Sequence, residues 1–190
     1  MTITQYQREA GIVRAGGVGI LPTDTLYGLT GSVMYPEAVY RIYELKERDY
    51  SKPLIVLIRS IDDLKEFNIK LSVPDNDKLV ELWPGPVSVI LPCLGSQFEY
   101  IHRGTEAIAF RRPNNKDLID FISETGPIVA PSANPEGFPP ARDIIEAKGY
   151  FKDKVDFYID GGHLDGLPST LVRLENGKIE VVRRGTYEIK

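Results

Sequence analysis

The residues best able to do chemistry sit in short polar stretches that follow apolar runs. The first is Thr23-Asp24-Thr25. It comes after an apolar run at 18–21, which reads as a buried strand, and after Pro22, which cannot donate to a sheet ladder and so marks an exit. Two hydroxyls and a carboxylate at a strand end stand where open α/β sheets bind ligands. The same residues also make a plain turn through local side-chain to backbone bonds. The second stretch, Lys46-Glu47-Arg48-Asp49-Tyr50-Ser51-Lys52, places three cations among two carboxylates. It reads either as an anion clamp or as a solvated charged loop. Arg111-Arg112 leaves another apolar run and points cations at the ligand edge, if that edge is shared. In Pro131-Ser132-Ala133-Asn134-Pro135-Glu136-Gly137, small residues allow close backbone approach, and a hydroxyl and an amide offer hydrogen bonds to a planar or anionic ligand. These too are ordinary turn residues. Ser169 precedes a late strand, and Arg183-Arg184-Gly185 ends the next one.

Several chemistries are excluded or disfavoured. The sequence has no G-x-x-x-x-G-K-[ST] phosphate loop, no G-x-G-x-x-G after a strand, no G-x-S-x-G and no H-E-x-x-H. Cys93 is the only cysteine, so neither an internal disulfide nor a cysteine zinc site is expected. His102 and His163 lack a ligand pattern and read as surface or structural, and no protein metal site is expected. With 23 basic and 27 acidic residues, the net charge of -4 does not indicate a basic nucleic-acid coat, although a local basic groove remains open. The N-terminal stretch lacks the pattern of a secretory signal. No apolar run approaches the ~18 residues that span a membrane. The expectation is a cytoplasmic protein with no membrane partner, and one domain over residues 1–190.

The elements that must position these groups follow from periodicity. A first helix is expected over 4–15, stopped by Gly16-Gly17, and a second over 36–48, with Val39, Ile42, Tyr43 and Lys46 on one face. Strands are expected at 54–58, 87–91, 107–110, 128–130, 157–159, 171–173 and 179–182, the last two joined by an Asn176-Gly177 turn. Helices are expected at 60–67, 74–83, 115–124 and 143–149, and a loop at 93–105 with a short extended piece near Tyr100. Alternating strands and helices that end in a hairpin predict an α/β fold with a mixed sheet.

Taken in order, P-T-D-T-L-Y-G-L, K-E-R-x-x-x-K-P-L, W-P-G-P, F-R-R-P, A-P-S-A-N-x-x-G, D-G-G, P-S-T-L-V and R-R-G resemble the YrdC-like family of L-threonylcarbamoyladenylate synthases. The resemblance runs from about Gly17 to Gly185, and the length is that of the short form. It implies a twisted mixed α/β sheet flanked by helices, with a cationic concave cavity. The implied substrates are L-threonine, bicarbonate and ATP with Mg2+, and the products are threonylcarbamoyl-AMP and pyrophosphate. A separate tRNA-threonylcarbamoyl transfer complex would then modify an adenosine beside the tRNA anticodon.

Carried over by motif, Thr25, Arg111 and Ser169 would bind L-threonine. Arg48, Lys52, Ser132, Asn134 and Arg183 would bind the nucleotide. Arg48, Lys52 and Lys46 would carry the catalysis by neutralising charge. The chain departs from the family at Glu47 and Asp49, where the loop usually reads K-G-R-P, and at Glu136, where a second serine is usual. It departs again at Pro140-Ala141-Arg142, which replaces Ser-Pro-Thr. Those departures leave open a paralogue in another carbamoyl-transfer pathway. A non-catalytic RNA-binding module is the alternative of a different class.

Overall fold

The structure, a computed structural model, describes residues 5–189. The predicted helix start at residue 4 and the outer limits of the 1–190 domain lie outside these residues. Nine strands form one mixed sheet in the order β7-β1-β2-β6-β3-β5-β4-β8-β9. They are β1 (Gly19–Pro22), β2 (Tyr27–Ser32), β3 (Ile55–Leu57), β4 (Val87–Pro92), β5 (Ala107–Arg111), β6 (Ile128–Val129), β7 (Phe157–Tyr158), β8 (Thr170–Glu175) and β9 (Lys178–Arg183). The helices are α1 (Gln5–Arg14), α2 (Pro36–Leu45), α3 (Val73–Leu82), α4 (Glu99–His102), α5 (Lys116–Thr125) and α6 (Ile144–Phe151). Three parallel pairs (β1/β7, β3/β5, β4/β8) are interspersed among five antiparallel ones (β1/β2, β2/β6, β3/β6, β4/β5, β8/β9), so the sheet is mixed.

Three expectations need correction. The polar stretch after Pro22 is followed directly by a strand, β2, where none was expected. It is the tip of a β1/β2 hairpin, closed by the Thr23 amide donating to the Leu26 carbonyl at 3.0 Å. Strand β2 escaped notice because Gly28 and Gly31 weaken its strand signature. Residues 93–105 are not extended near Tyr100: a 3-10 turn (Ser96–Phe98) runs into α4 there. Helix α2 stops at Leu45 rather than at residue 48, and Glu47 takes a left-handed φ of 50° that no helix continues. The short helix expected at 60–67 is present as a 3-10 helix (Ile61–Phe67), entered by the Ser60 amide donating to Asp63 at 3.2 Å. The 175–178 hairpin holds as expected, with positive φ at Asn176 and Gly177.

The two faces of the sheet differ, and that difference positions the site. Side chains alternate across a strand. On β5, Ile108 and Phe110 enter the larger core, while Ala107, Ala109 and Arg111 face the other way. On β4, Val87, Val89 and Leu91 enter the same core, leaving Ser88 and Ile90 opposite. The larger core takes Val39, Ile42 and Tyr43 from α2, Leu79 from α3, Ile101 from α4 and Ala147 from α6. The second face is covered over part of its width by α1 and α5, through Ala10, Val13, Leu118, Phe121 and Ile122 on Leu21, Leu57 and Ile128. Beyond that cover, Ile55, Arg111 and Ala130 floor a depression.

Candidate active site

The depression is a pocket of about 110 Å³. Thr23, Thr25 and Leu26 line it from the β1/β2 tip, Arg111 from the end of β5, Pro131 and Ser132 from the loop after β6, Ser169 from the entry to β8, and Arg183 from the end of β9. Five residues expected at the site from sequence, Thr25, Arg111, Ser132, Ser169 and Arg183, therefore meet in one cavity.

The hairpin tip is held by Thr23. Its hydroxyl donates to the Leu26 carbonyl at 2.7 Å and accepts from the amides of Thr25 and Leu26 at 3.2 Å each. The Thr25 hydroxyl lies 3.1 Å from that of Thr23 and accepts from Arg111 NH1 at 2.9 Å. Close backbone approach secures the tip from outside. A Cβ on Gly166 would lie 2.1 Å from the Thr25 carbonyl oxygen, so only glycine allows the 164–168 segment to cross here.

Arg111 is enclosed, with 4% of its surface exposed. Its NH1 lies 3.2 Å from Asp24 Oδ1, and Asp24 Oδ2 accepts from the Asn114 amide at 3.1 Å. Burial pushes the guanidinium below its ordinary pKa. The Asp24 carboxylate opposes that shift, and Arg183 adds to it. Among the described residues Arg111 Nε has no hydrogen-bond partner, and NH2 reaches only Thr23 Oγ1 at 3.5 Å. The Nε–NH2 edge is therefore the least satisfied part of a five-donor group.

Arg183 donates through NH2 to the Ser169 carbonyl at 2.9 Å. Its pKa is lowered by burial and then by Arg48. Arg183 thus lies within electrostatic reach of both Arg111 and Arg48, and the three come from separate segments.

The lysine loop forms a second cluster beside the pocket. Arg48 donates to the Lys52 and Pro53 carbonyls at 3.4 and 3.1 Å. Lys52 pairs with Glu136 across the loops. Lys46, at the end of the α2 stripe, is 2% exposed. Its ammonium donates to the Ser132 carbonyl at 2.5 Å, the Asn134 carbonyl at 2.6 Å and Asn134 Oδ1 at 3.4 Å. Burial lowers its pKa to about 7, with Arg48 pushing the same way and Glu136 opposing. Asn134 lies off the pocket: its amide donates to the Pro135 and Phe138 carbonyls at 2.9 and 2.8 Å and its Oδ1 accepts from Ser132 Oγ at 2.6 Å. Lys46 and Asn134 together hold the turn that presents Ser132.

Two contributors went unassigned in the sequence. Thr23 was noted in its motif without a role. Ser88 lies 2.8 Å hydroxyl to hydroxyl from Ser169, and both are buried. Its signal was a lone polar residue inside the apolar run 87–91. Asp24, the carboxylate of the Thr23-Asp24-Thr25 stretch, is the ion-pair partner of Arg111.

Such a fold and site define an α/β protein whose half-covered sheet presents hydroxyls and arginines to a small anionic ligand. Residues 11–185 match the Sua5/YciO/YrdC family, described as telomere recombination, and the chain belongs to that family. It is 32% identical over 176 residues to a threonylcarbamoyl-AMP synthase of Hahella chejuensis, covering 91% of this chain and 95% of that one. It is 34% identical over 177 residues to the Pseudomonas aeruginosa protein of the same name, covering 91% and 94%. Among solved structures, Pyrococcus abyssi Sua5 complexed with L-threonine superposes with a TM-score of 0.87 at 31% identity. The match covers 95% of this chain, which spans only 54% of that protein.

Proposed function

We propose that this protein condenses L-threonine, bicarbonate and ATP into threonylcarbamoyl-AMP, releasing pyrophosphate. The observation that carries the reading is the convergence of Arg111, Arg183 and Arg48 around a pocket lined by the Thr25 and Ser169 hydroxyls. The names of the relatives support it.

The chemistry asks for charge neutralisation. The threonine amine adds to bicarbonate, losing water, to give a carbamate. A carbamate oxygen then attacks the α-phosphorus of ATP, the bond to the β-phosphate oxygen breaks, and pyrophosphate leaves. Two anions must meet, so fixed cations and donors that offset their repulsion supply the catalysis. Arg111 takes the threonine carboxylate, its planar fork suiting a carboxylate and satisfying its own orphaned edge. Thr25 and Ser169 orient the rest of the amino acid. Arg48, Lys52 and Arg183 take the phosphates, Ser132 stands on the nucleotide side, and Lys46 acts with Asn134 by holding that turn. ATP enters with magnesium as part of the substrate. Among the described residues no group of three or more His, Cys, Asp or Glu side chains is placed to hold a metal ion, so the phosphate oxygens would hold it.

The product would pass to a separate transfer complex acting on tRNA, which fits a cytoplasmic setting. Among the described residues no helix is long and apolar enough to cross a membrane. The test is pyrophosphate release from purified protein with ATP and magnesium. Release that needs both L-threonine and bicarbonate supports the reading. Release without threonine, or none at all, overturns it.

A further inference from the structure

We propose that Glu136 is an internal anion that occupies the phosphate position of the lysine loop, so that nucleotide binds by exchange with this carboxylate. The proposal rests on the nucleotide side of the proposed function and adds a device to it. Two donors of the kind that hold phosphate converge on Glu136. The Asp49 amide donates to Oε2 at 2.8 Å, and the Lys52 ammonium pairs with Oε1. An amide and an ammonium meeting the two oxygens of one anion make the contact expected of a phosphate cradle. Here the chain fills it with its own side chain. Arg48 also acts electrostatically on Glu136 and lies within the same loop.

The surroundings let the carboxylate leave without dismantling the loops. The backbone of Glu136 is tied separately, its amide donating to the Lys46 carbonyl at 2.6 Å. The Lys52 carbonyl is held by the Tyr43 hydroxyl at 2.9 Å and by Arg48 Nε at 3.4 Å. Ser51 is held by Asp49 Oδ1 at 2.8 Å. Only the side-chain link must open, and that link is solvent-facing, with the two side chains 51% and 31% exposed. An exposed pair of this kind is weak and readily exchanged. The consequence is selectivity by charge: an anion more highly charged than a carboxylate displaces Glu136, and a neutral nucleoside does not.

The experiment is calorimetry on the whole chain with Glu136→Gln, Glu136→Ser, Lys52→Ala and the Glu136→Gln/Lys52→Ala pair. The probes are ATP, pyrophosphate, adenosine and L-threonine. In both Glu136 variants ATP and pyrophosphate should bind about two- to fivefold tighter, the scale of an exposed ion pair, with adenosine and threonine unchanged. In the Lys52→Ala background, Glu136→Gln should lose most of that gain. Amide exchange at Asp49 should be faster in Glu136→Ser than in the parent, and pyrophosphate should slow it again in Glu136→Ser, because phosphate then accepts from that amide. Unchanged or weaker ATP binding by both Glu136 variants, with normal threonine binding, overturns the exchange while the proposed function stands. Absence of ATP binding in every variant overturns both.

Discussion

Replacing Arg111 by lysine separates the two halves of the proposed site. The substitution keeps a cation beside Asp24, whose side chain is 8% exposed and 3.2 Å from NH1, so no buried carboxylate is stranded. It removes the planar fork. An ammonium on this stem can reach Asp24 or Thr25, but it cannot also offer a parallel pair of donors to a substrate carboxylate. The loss is then about one charge-assisted hydrogen bond, roughly 1.5–3 kcal/mol, or about 10- to 150-fold in L-threonine affinity. Among the described residues Arg111 bonds to Thr25, Thr23 and Asp24 and not to the lysine loop, so the ATP requirement should move by less than about twofold, within the scatter of remote substitutions. Initial rates of pyrophosphate release, taken against each substrate in turn, read both quantities. Arg111→Met serves as the stability control, because it strands Asp24 and should cost about 3–5 kcal/mol in a denaturant titration. A threonine requirement unchanged in Arg111→Lys, or an equal rise for both substrates, refutes the placement of the carboxylate on Arg111.

Three further outcomes are expected. Ser88→Ala removes the hydroxyl that holds Ser169 at 2.8 Å. It should cost about 1 kcal/mol of stability and raise the threonine requirement several-fold with the ATP requirement unchanged; a matching rise for ATP would show a general loosening instead. Lys46 holds its proton up to about 10.5 when unfolded and releases it near 7 when folded, so the unfolded state binds more protons between these values. Stability should therefore rise with pH through that window, by at most ~1.4 kcal/mol per pH unit, and level off at its lower value below about 7. Denaturant midpoints from pH 7 to 9 should show this slope in the parent and a flat line in Lys46→Met; equal slopes refute it. Ser132→Ala should lower the rate of pyrophosphate release while leaving the melting temperature nearly unchanged, because the turn is held by Lys46 and Asn134 rather than by the Ser132 hydroxyl. A large loss of melting temperature would make Ser132 a turn residue and nothing more.

The sequence carried the fold wherever a strand was an unbroken apolar run or a helix had a full stripe. The α2 stripe of Val39, Ile42, Tyr43 and Lys46 is buried as its spacing requires. Strand β2 was not legible because its pairing partners, β1 and β6, supply what Gly28 and Gly31 do not. Tertiary pairing outweighed local propensity there. The polar site residues were legible as types but not as partners. Nothing local tells that Lys46, read as a phosphate cation, spends its donors on carbonyls 86 and 88 residues away. Nor does it tell that Lys52 is matched to Glu136. Those are contacts between loops, and loop geometry is set by the whole sheet.

What leaves the site open is nevertheless written in strand alternation. A helix covering the second face beyond α1 and α5 would need apolar partners from β4, β5 and β8. At the positions that face that way Ser88, Arg111 and Arg173 stand among Ile90, Ala109 and Leu171. Burying that set under a helix would strand arginine charge in return for a broken apolar surface. Gly28 and Ala130, both small, keep the floor low on the side away from Arg111. The protein is acidic overall, yet two arginines reach this floor from β5 and β9, and Arg48 of the lysine loop acts on Arg183 from beside it. Charge of one sign is thereby concentrated by folding and not by composition. A substitution that made the floor bulky, such as Gly28→Val, would fill the pocket against Thr23 and Ala130, which a Cβ there already meets at 3.3 and 3.4 Å.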